Sequence, residues 1–186
     1  MHTEIKNAVE TLKQGGLILY PTDTVWGIGC DASNPEAVAK IYTLKKRIET
    51  KAMICLVADD RMLKKYVKKI PEAAQSIFDV AEDPVTIIYD DAQNLAKNLI
   101  AEDQTIAIRI PDDEFCYQLC RKLNGAIVST SANISGSPSP KSFKEISQDI
   151  LKGVDYVVNL HHDKRMTKPS SIIKLSSNGI VKIIRE

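Results

Sequence analysis

The sequence predicts an α/β fold, a single-domain open twisted mixed sheet with flanking helices. Three observations carry this. Short apolar, β-rich runs alternate with amphipathic segments of helical period along most of the chain. The 186 residues fit one domain, 1–186, with no linker, repeat or low-complexity tract, and suffice to bury a sizeable core. The last two β-rich runs, 171–175 and 180–184, flank a turn at 176–179, so they read as a hairpin that makes the sheet mixed.

Each element has its own signal. Ile5, Val9 and Leu12 recur at helical spacing, predicting a helix over 3–14 that Gly15 and Gly16 end. Leu17 to Tyr20 is a short buried strand, and Pro21, which cannot donate to a ladder, stops it. Thr22, Asp23 and Thr24 then put two hydroxyls and a carboxylate directly after a strand end. Gly27 and Gly29 let backbone come close, and Trp26, the only tryptophan, anchors the core. Asn34 and Pro35 read as N-cap and first position of a helix reaching Leu44, with Ala37, Val38 and Ile41 inward.

Met53 to Val57 is a buried strand, followed by surface helices over 61–67 and 71–80 that Pro71 separates. Val85 to Tyr89 is the next strand, and the polar stretch 90–103 has no assignable period. Thr105 to Ile110 is a strand carrying Arg109, ended by Pro111. Asp112 or Asp113 caps a helix through Leu123, which Asn124 and Gly125 stop. Ala126 to Val128 is a compact strand leading into a hydroxyl-rich loop, 129–136. A helix over 142–151, a strand near 156–159 and a polar loop over 161–169 precede the closing hairpin.

Composition narrows the function classes. With 44% hydrophobic and 26% charged residues the chain is an ordinary soluble globular protein. A net charge of +1 neither supports nor excludes nucleic acid. Cys30, Cys55, Cys116 and Cys120 contain no Cys-x-x-Cys pair, so they read as buried free thiols in a reducing, cytoplasmic compartment, with no metal site. No long apolar span or signal sequence is present, so no membrane role is expected.

Three features can carry chemistry. Lys45, Lys46 and Arg47, with Lys51 beyond, lie where a helix end meets a loop; they either complement the helix dipole or clamp a nucleotide's phosphates. Ser129 to Asn133 offers hydroxyl and amide groups after a strand, either as a solvated turn or as donors to anionic oxygens. Arg109, between two isoleucines, either faces solvent or recognises a small carboxylate. Neither phosphate-loop nor dinucleotide fingerprint occurs, nor a Gly-x-Ser-x-Gly elbow. His161, His162 and Asp163 are adjacent in a loop and read as solvated rather than as metal ligands.

Five motifs occur together: Tyr-Pro-Thr-Asp-Thr-Val-Trp-Gly-Ile-Gly at 20–29, Lys-x-Arg at 45–47, Ile-Ala-Ile-Arg-Ile-Pro at 106–111, Ser-Thr-Ser-Ala-Asn-x-Ser-Gly-x-Pro at 129–138, and Ser-Ser-Ile-Ile at 170–173. In this order the chain resembles the short form of the YrdC/Sua5 family of threonylcarbamoyl-AMP synthases. The resemblance implies a sheet with a concave basic face. It also implies a nucleotidyltransferase that makes threonylcarbamoyl-AMP and pyrophosphate from L-threonine, bicarbonate and ATP, with Mg2+ bound through the ATP phosphates. The product feeds the t6A modification of tRNA, which brings tRNA or double-stranded RNA and proteins of the t6A pathway in as partners.

By position, the resemblance implies that Thr24, Arg109, Ser129 and Ser170 surround threonine. Arg47, Lys51, Thr105, Ser131, Ser139 and Arg185 contact ATP, and Lys45 and Asn133 complete a catalytic set with Arg47 and Ser131. The alternative is a non-catalytic nucleotide- or RNA-binding module of the same fold. Departures from the family pattern are Lys46 for glycine, Ile48 and Ala52 for prolines, Ala81-Glu82-Asp83-Pro84 for a tryptophan-proline-glycine-proline turn, and a polar 160–165 loop for a glycine-rich one.

Overall fold

The computed structural model describes residues 1–47, 53–166 and 168–186. Helix α1 (His2–Lys13) buries Ile5, Ala8, Val9 and Leu12, the face its period predicts. Strands β1 (Ile18–Tyr20) and β2 (Gly27–Gly29) are wholly buried and pair antiparallel across the 21–26 turn. In α2 (Pro35–Leu44) the Asn34 side chain accepts from the Glu36 and Ala37 amides at 3.0 and 3.1 Å, as the Asn-Pro pair predicts.

Strand β3 (Ile54–Leu56) leads to the short helices α3 (Asp60–Leu63) and α4 (Ala73–Val80), then to β4 (Val85–Tyr89) and β5 (Ile106–Arg109). Helix α3 falls short of the predicted 61–67. Past Leu63 the backbone turns away to meet the 91–93 segment, with the Gln93 amide donating to Tyr66 and the Lys68 amide to Asp91. In α5 (Glu114–Leu123) it is Asp113 that caps, accepting from the Cys116 amide at 2.8 Å, and Asn124 takes the left-handed conformation that ends the helix.

Strand β6 runs from Ile127 to Ser131, so the predicted loop from residue 129 is a strand for its first three residues. Composition hid this because the pairing partners are remote: β6 lies antiparallel between β2 and β3, with Gly27 opposite Ser131 and Ile54 opposite Ser129. The predicted 142–151 helix is two pieces, a 3-10 turn at Phe143–Glu145 and α6 (Gln148–Gly153), because Ser147 caps the second with its own hydroxyl. Strands β7 (Tyr156–Val157), β8 (Ser171–Leu175) and β9 (Val181–Arg185) complete the chain.

Among the described residues the sheet is nine-stranded and open, in the order β7-β1-β2-β6-β3-β5-β4-β8-β9. It is mixed, with β1/β7, β3/β5 and β4/β8 parallel and the other pairs antiparallel. Pairing carries two faces across the molecule. Ile28, Val128, Cys55, Ile108 and Ile87 share one and are fully buried. Gly27, Ser131, Ser129, Ile54, Leu56 and Arg109 share the other, the face that bears a cleft. All four cysteines are free and buried. Among the described residues no helix is long and apolar enough to cross a membrane.

The β8/β9 pairing slips by one residue near its end: Ile173 faces Ile183, but Ile172 faces Arg185. Ile184 is therefore an extra, bulged residue. Strict alternation would put Arg185 on the face of Ile183; the bulge brings it into phase with Ile172, which lines the cleft.

Candidate functional site

The cleft has a volume of about 470 Å3 and is built from strand ends and the loops that follow them. From the β1–β2 turn come Thr24, Val25 and Gly27; from β6, Ser129 and Ser131; from β5, Arg109; from the α2 end, Arg47; from the two covering loops, Ser139, Lys141, Met166 and Ser170; and from β9, Arg185. Among the described residues its lining holds three arginines and no carboxylate. A cavity of this size and lining suits an anionic ligand of nucleotide class.

Arg109 is 3% exposed and has two partners. One terminal nitrogen forms an ion pair with Asp23 and the other donates to the Thr24 hydroxyl at 3.2 Å. The second oxygen of Asp23 accepts from the Asp112 amide at 3.1 Å, so this carboxylate holds both the guanidinium and the loop after β5. Thr24 is itself fixed by the Thr22 hydroxyl at 2.9 Å, and Thr22 bonds back onto the turn it caps. Burying this pair requires such geometry, since an unmatched guanidinium here would carry its full desolvation cost.

The Lys-x-Arg motif is a Schellman turn. The Arg47 amide donates to Tyr42 and the Lys46 amide to Thr43, while Lys46 takes a left-handed φ of 51°. The turn sends the two cations to different places. Lys45, 1% exposed, points behind the cleft and donates to the backbone carbonyls of Ser131 and, at 2.6 Å, Asn133. Burial, with Arg47 nearby, lowers its pKa to about 8. Arg47 lines the cleft, and burial pulls its guanidinium below the ordinary value without discharging it.

Asn133 organises the turn after β6. Its amide oxygen accepts from the Ser131 hydroxyl at 2.5 Å and its nitrogen donates to Ile134 and Ser137 at 3.1 and 2.6 Å. Ser170 is a second junction. Its hydroxyl meets that of buried Thr86 at 2.8 Å, and its carbonyl takes two donors from Arg185, at 3.1 and 2.6 Å. Burial also lowers the Arg185 pKa.

The residues assigned from sequence therefore fall into four groups. Thr24, Arg109, Ser129 and Ser170 meet in the cleft with Arg47, Ser131, Ser139 and Arg185. Lys45 and Asn133 stand behind it, as supports of the β6 turn rather than as lining. Thr105 does not join: at the start of β5, the strand whose other end carries Arg109, it donates its hydroxyl to Asp103 at 2.6 Å, and Asp103 pairs with Lys174. The strand's length separates its two ends. Lys51, with Ile48 and Ala52, lies outside the described residues.

Sequence reasoning missed Asp23 and Thr86 as parts of this site, because their partners Arg109 and Ser170 are 86 and 84 positions away. A carboxylate three residues beyond a strand end was the visible signal for Asp23. His162, read as solvated, is half-buried and stacks on Phe143 with ring centroids 3.8 Å apart and on the edge of Trp26. It ties the 160–166 segment to the 3-10 turn, as does the Met166 amide donating to Lys141.

The family model Sua5/YciO/YrdC, described as "Telomere recombination", matches residues 10–186. The threonylcarbamoyl-AMP synthase of Pseudoalteromonas translucida is 34% identical over 180 residues, 95% of each chain. P. abyssi Sua5 complexed with L-threonine is 27% identical with a TM-score of 0.81, over 92% of this chain and 50% of that one. The present chain thus spans about half the length of that Sua5 protein. E. coli YciO, 23% identical, matches the whole of this chain and 90% of its own with a TM-score of 0.85, a likeness of fold. The chain belongs to the Sua5/YciO/YrdC family.

Proposed function

We propose that this protein is an L-threonylcarbamoyladenylate synthase, a nucleotidyltransferase that joins L-threonine, bicarbonate and ATP and releases pyrophosphate. The observation that supports it is the convergence of Thr24, Arg109, Ser129 and Ser170 with Arg47, Ser131, Ser139 and Arg185 in one cleft. The related Pseudoalteromonas translucida protein bears the synthase name, and the P. abyssi Sua5 structure holds L-threonine.

The chemistry needs no protein nucleophile. The threonine amine and bicarbonate give a carbamate with loss of water; a carbamate oxygen then bonds to the α-phosphorus of ATP as the bond to pyrophosphate breaks. The protein's task is to hold two anions that repel each other in water and to neutralise the leaving group. Arg109, with the hydroxyls of Thr24, Ser129 and Ser170, suits the amino-acid end. Arg47 and Arg185, with Ser131 and Ser139, suit the triphosphate.

ATP enters in this reading as its magnesium complex. Among the described residues the lining offers hydroxyls and cations but no carboxylate, so magnesium would be held mainly through the ATP phosphates, where it would help to neutralise the leaving pyrophosphate. The product is passed to the t6A pathway for modification of tRNA, in a reducing cytoplasm that suits four buried free thiols. Calorimetry tests the substrate assignment: L-threonine and ATP each bind the wild type, and Arg109→Ala loses threonine binding while Arg47→Ala loses ATP binding. Loss of both ligands in either folded variant, or of neither, overturns the division of the cleft.

A further inference from the structure

We infer that Asp23 sets the anion selectivity of the Arg109 end of the cleft, admitting a single carboxylate and turning polyphosphate away. The inference rests on the threonine and ATP assignment above and adds a determinant to it.

The two ends of the cleft differ in what stands behind their arginines. Arg185 is held by a neutral acceptor, the Ser170 carbonyl. Arg109 is held by a carboxylate, and both members of that pair are nearly buried, with side-chain exposures of 4% and 10%. Asp23 also lines a second groove on its far side, about 730 Å3 in volume, with Asp59, Asp60, Asp112 and Asp113 around it. The Arg109 end therefore carries one cation against a wall of negative charge, whereas the cation of Arg185 rests on a neutral carbonyl. In a partly buried site Coulomb interactions persist over several ångströms. One bound carboxylate at Arg109 leaves the local charge near minus one, but a polyphosphate there would meet Asp23 with several negative charges. Asp23 makes the two ends non-equivalent, so triphosphate and amino acid each have one orientation.

The test is calorimetric competition on the full chain with L-threonine and inorganic pyrophosphate. In the wild type, saturating pyrophosphate leaves the threonine affinity within about threefold. In Asp23→Asn, whose single amide oxygen still accepts from Arg109 while its NH2 takes the place of the oxygen that met the Asp112 amide, pyrophosphate gains access to Arg109 and weakens threonine binding by roughly tenfold or more, an effect that shrinks with added salt. Asp112→Lys, an exposed change on the groove side, shifts the competition in the same direction by less and carries the test if Asp23→Asn does not fold. Unchanged competition in the folded variants overturns the inference while leaving the synthase reading intact. A wild type that binds no threonine overturns the synthase reading itself.

Discussion

Lys45, at the end of α2, donates to the carbonyl of Ser131, 86 positions further along the chain, and to that of Asn133 at 2.6 Å. Its ammonium fastens the turn that presents the Ser131 hydroxyl, and the Ser135 amide returns the contact by donating to the Lys45 carbonyl at 2.9 Å. Lys45→Met leaves two carbonyls short of a donor. It should destabilise the protein by about 2–4 kcal/mol and weaken ATP binding with it, as urea unfolding and calorimetry would show. Unchanged stability would mean that the ammonium is not what holds the turn.

The same residue gives a pH dependence with a definite sign. The Lys45 pKa is lowered to about 8 by burial and then by Arg47, whereas an unfolded lysine titrates near about 10.4. Between these values the unfolded chain binds more protons, so the Lys45 contribution to stability rises with pH over that window and is least favourable below it. The stability gap between wild type and Lys45→Met should widen from pH 7 to pH 9.5 in denaturant titrations. A constant gap would contradict a lowered pKa.

Lys46 holds a left-handed φ of 51° in the Schellman turn. A residue with a β-carbon pays about 1 kcal/mol there relative to glycine, so Lys46→Gly should stabilise the fold by about that amount in thermal or urea unfolding. Destabilisation would show that the lysine side chain supplies more than the backbone loses.

Much of the fold was legible from local chemistry, and the site less so. The Asn34-Pro35 start, the Val85–Tyr89 strand and the Asn124 stop are written in adjacent residues, and the structure has them there. The strand character of Ser129 to Ser131 was hidden, because small polar residues become a strand only when β2 and β3 supply partners on both sides. Asp23 looked like an ordinary turn residue until Arg109 arrived beside it. Thr105 and Arg109 belong to one apolar run, and nothing in that run shows that only its end with Arg109 reaches the cleft.

Gly29 meets a constraint of space rather than of backbone angle. A β-carbon at this position would lie 2.8 Å from both the Tyr20 ring and the Val128 carbonyl. The carbonyl belongs to the central sheet and cannot step aside, so Gly29→Ala should cost about 2–3 kcal/mol and lower the yield of folded protein. A variant as stable as the wild type would imply a looser β1–β2–β6 packing.

Thr86 offers a milder probe of the amino-acid end. Thr86→Val keeps the buried shape but removes the hydroxyl that meets that of Ser170. The expected result is a higher KM for threonine, by about threefold to tenfold, with little change in that for ATP. Equal changes in both constants would argue for a general structural defect.

The most direct measurement is pyrophosphate release by the purified, magnesium-supplied protein, with ATP, L-threonine and bicarbonate each omitted in turn, alongside Arg47→Ala checked for fold by circular dichroism. The account predicts release only when all three substrates are present, and its loss in the folded variant. Release without threonine or bicarbonate, or near-normal turnover by Arg47→Ala, would contradict it.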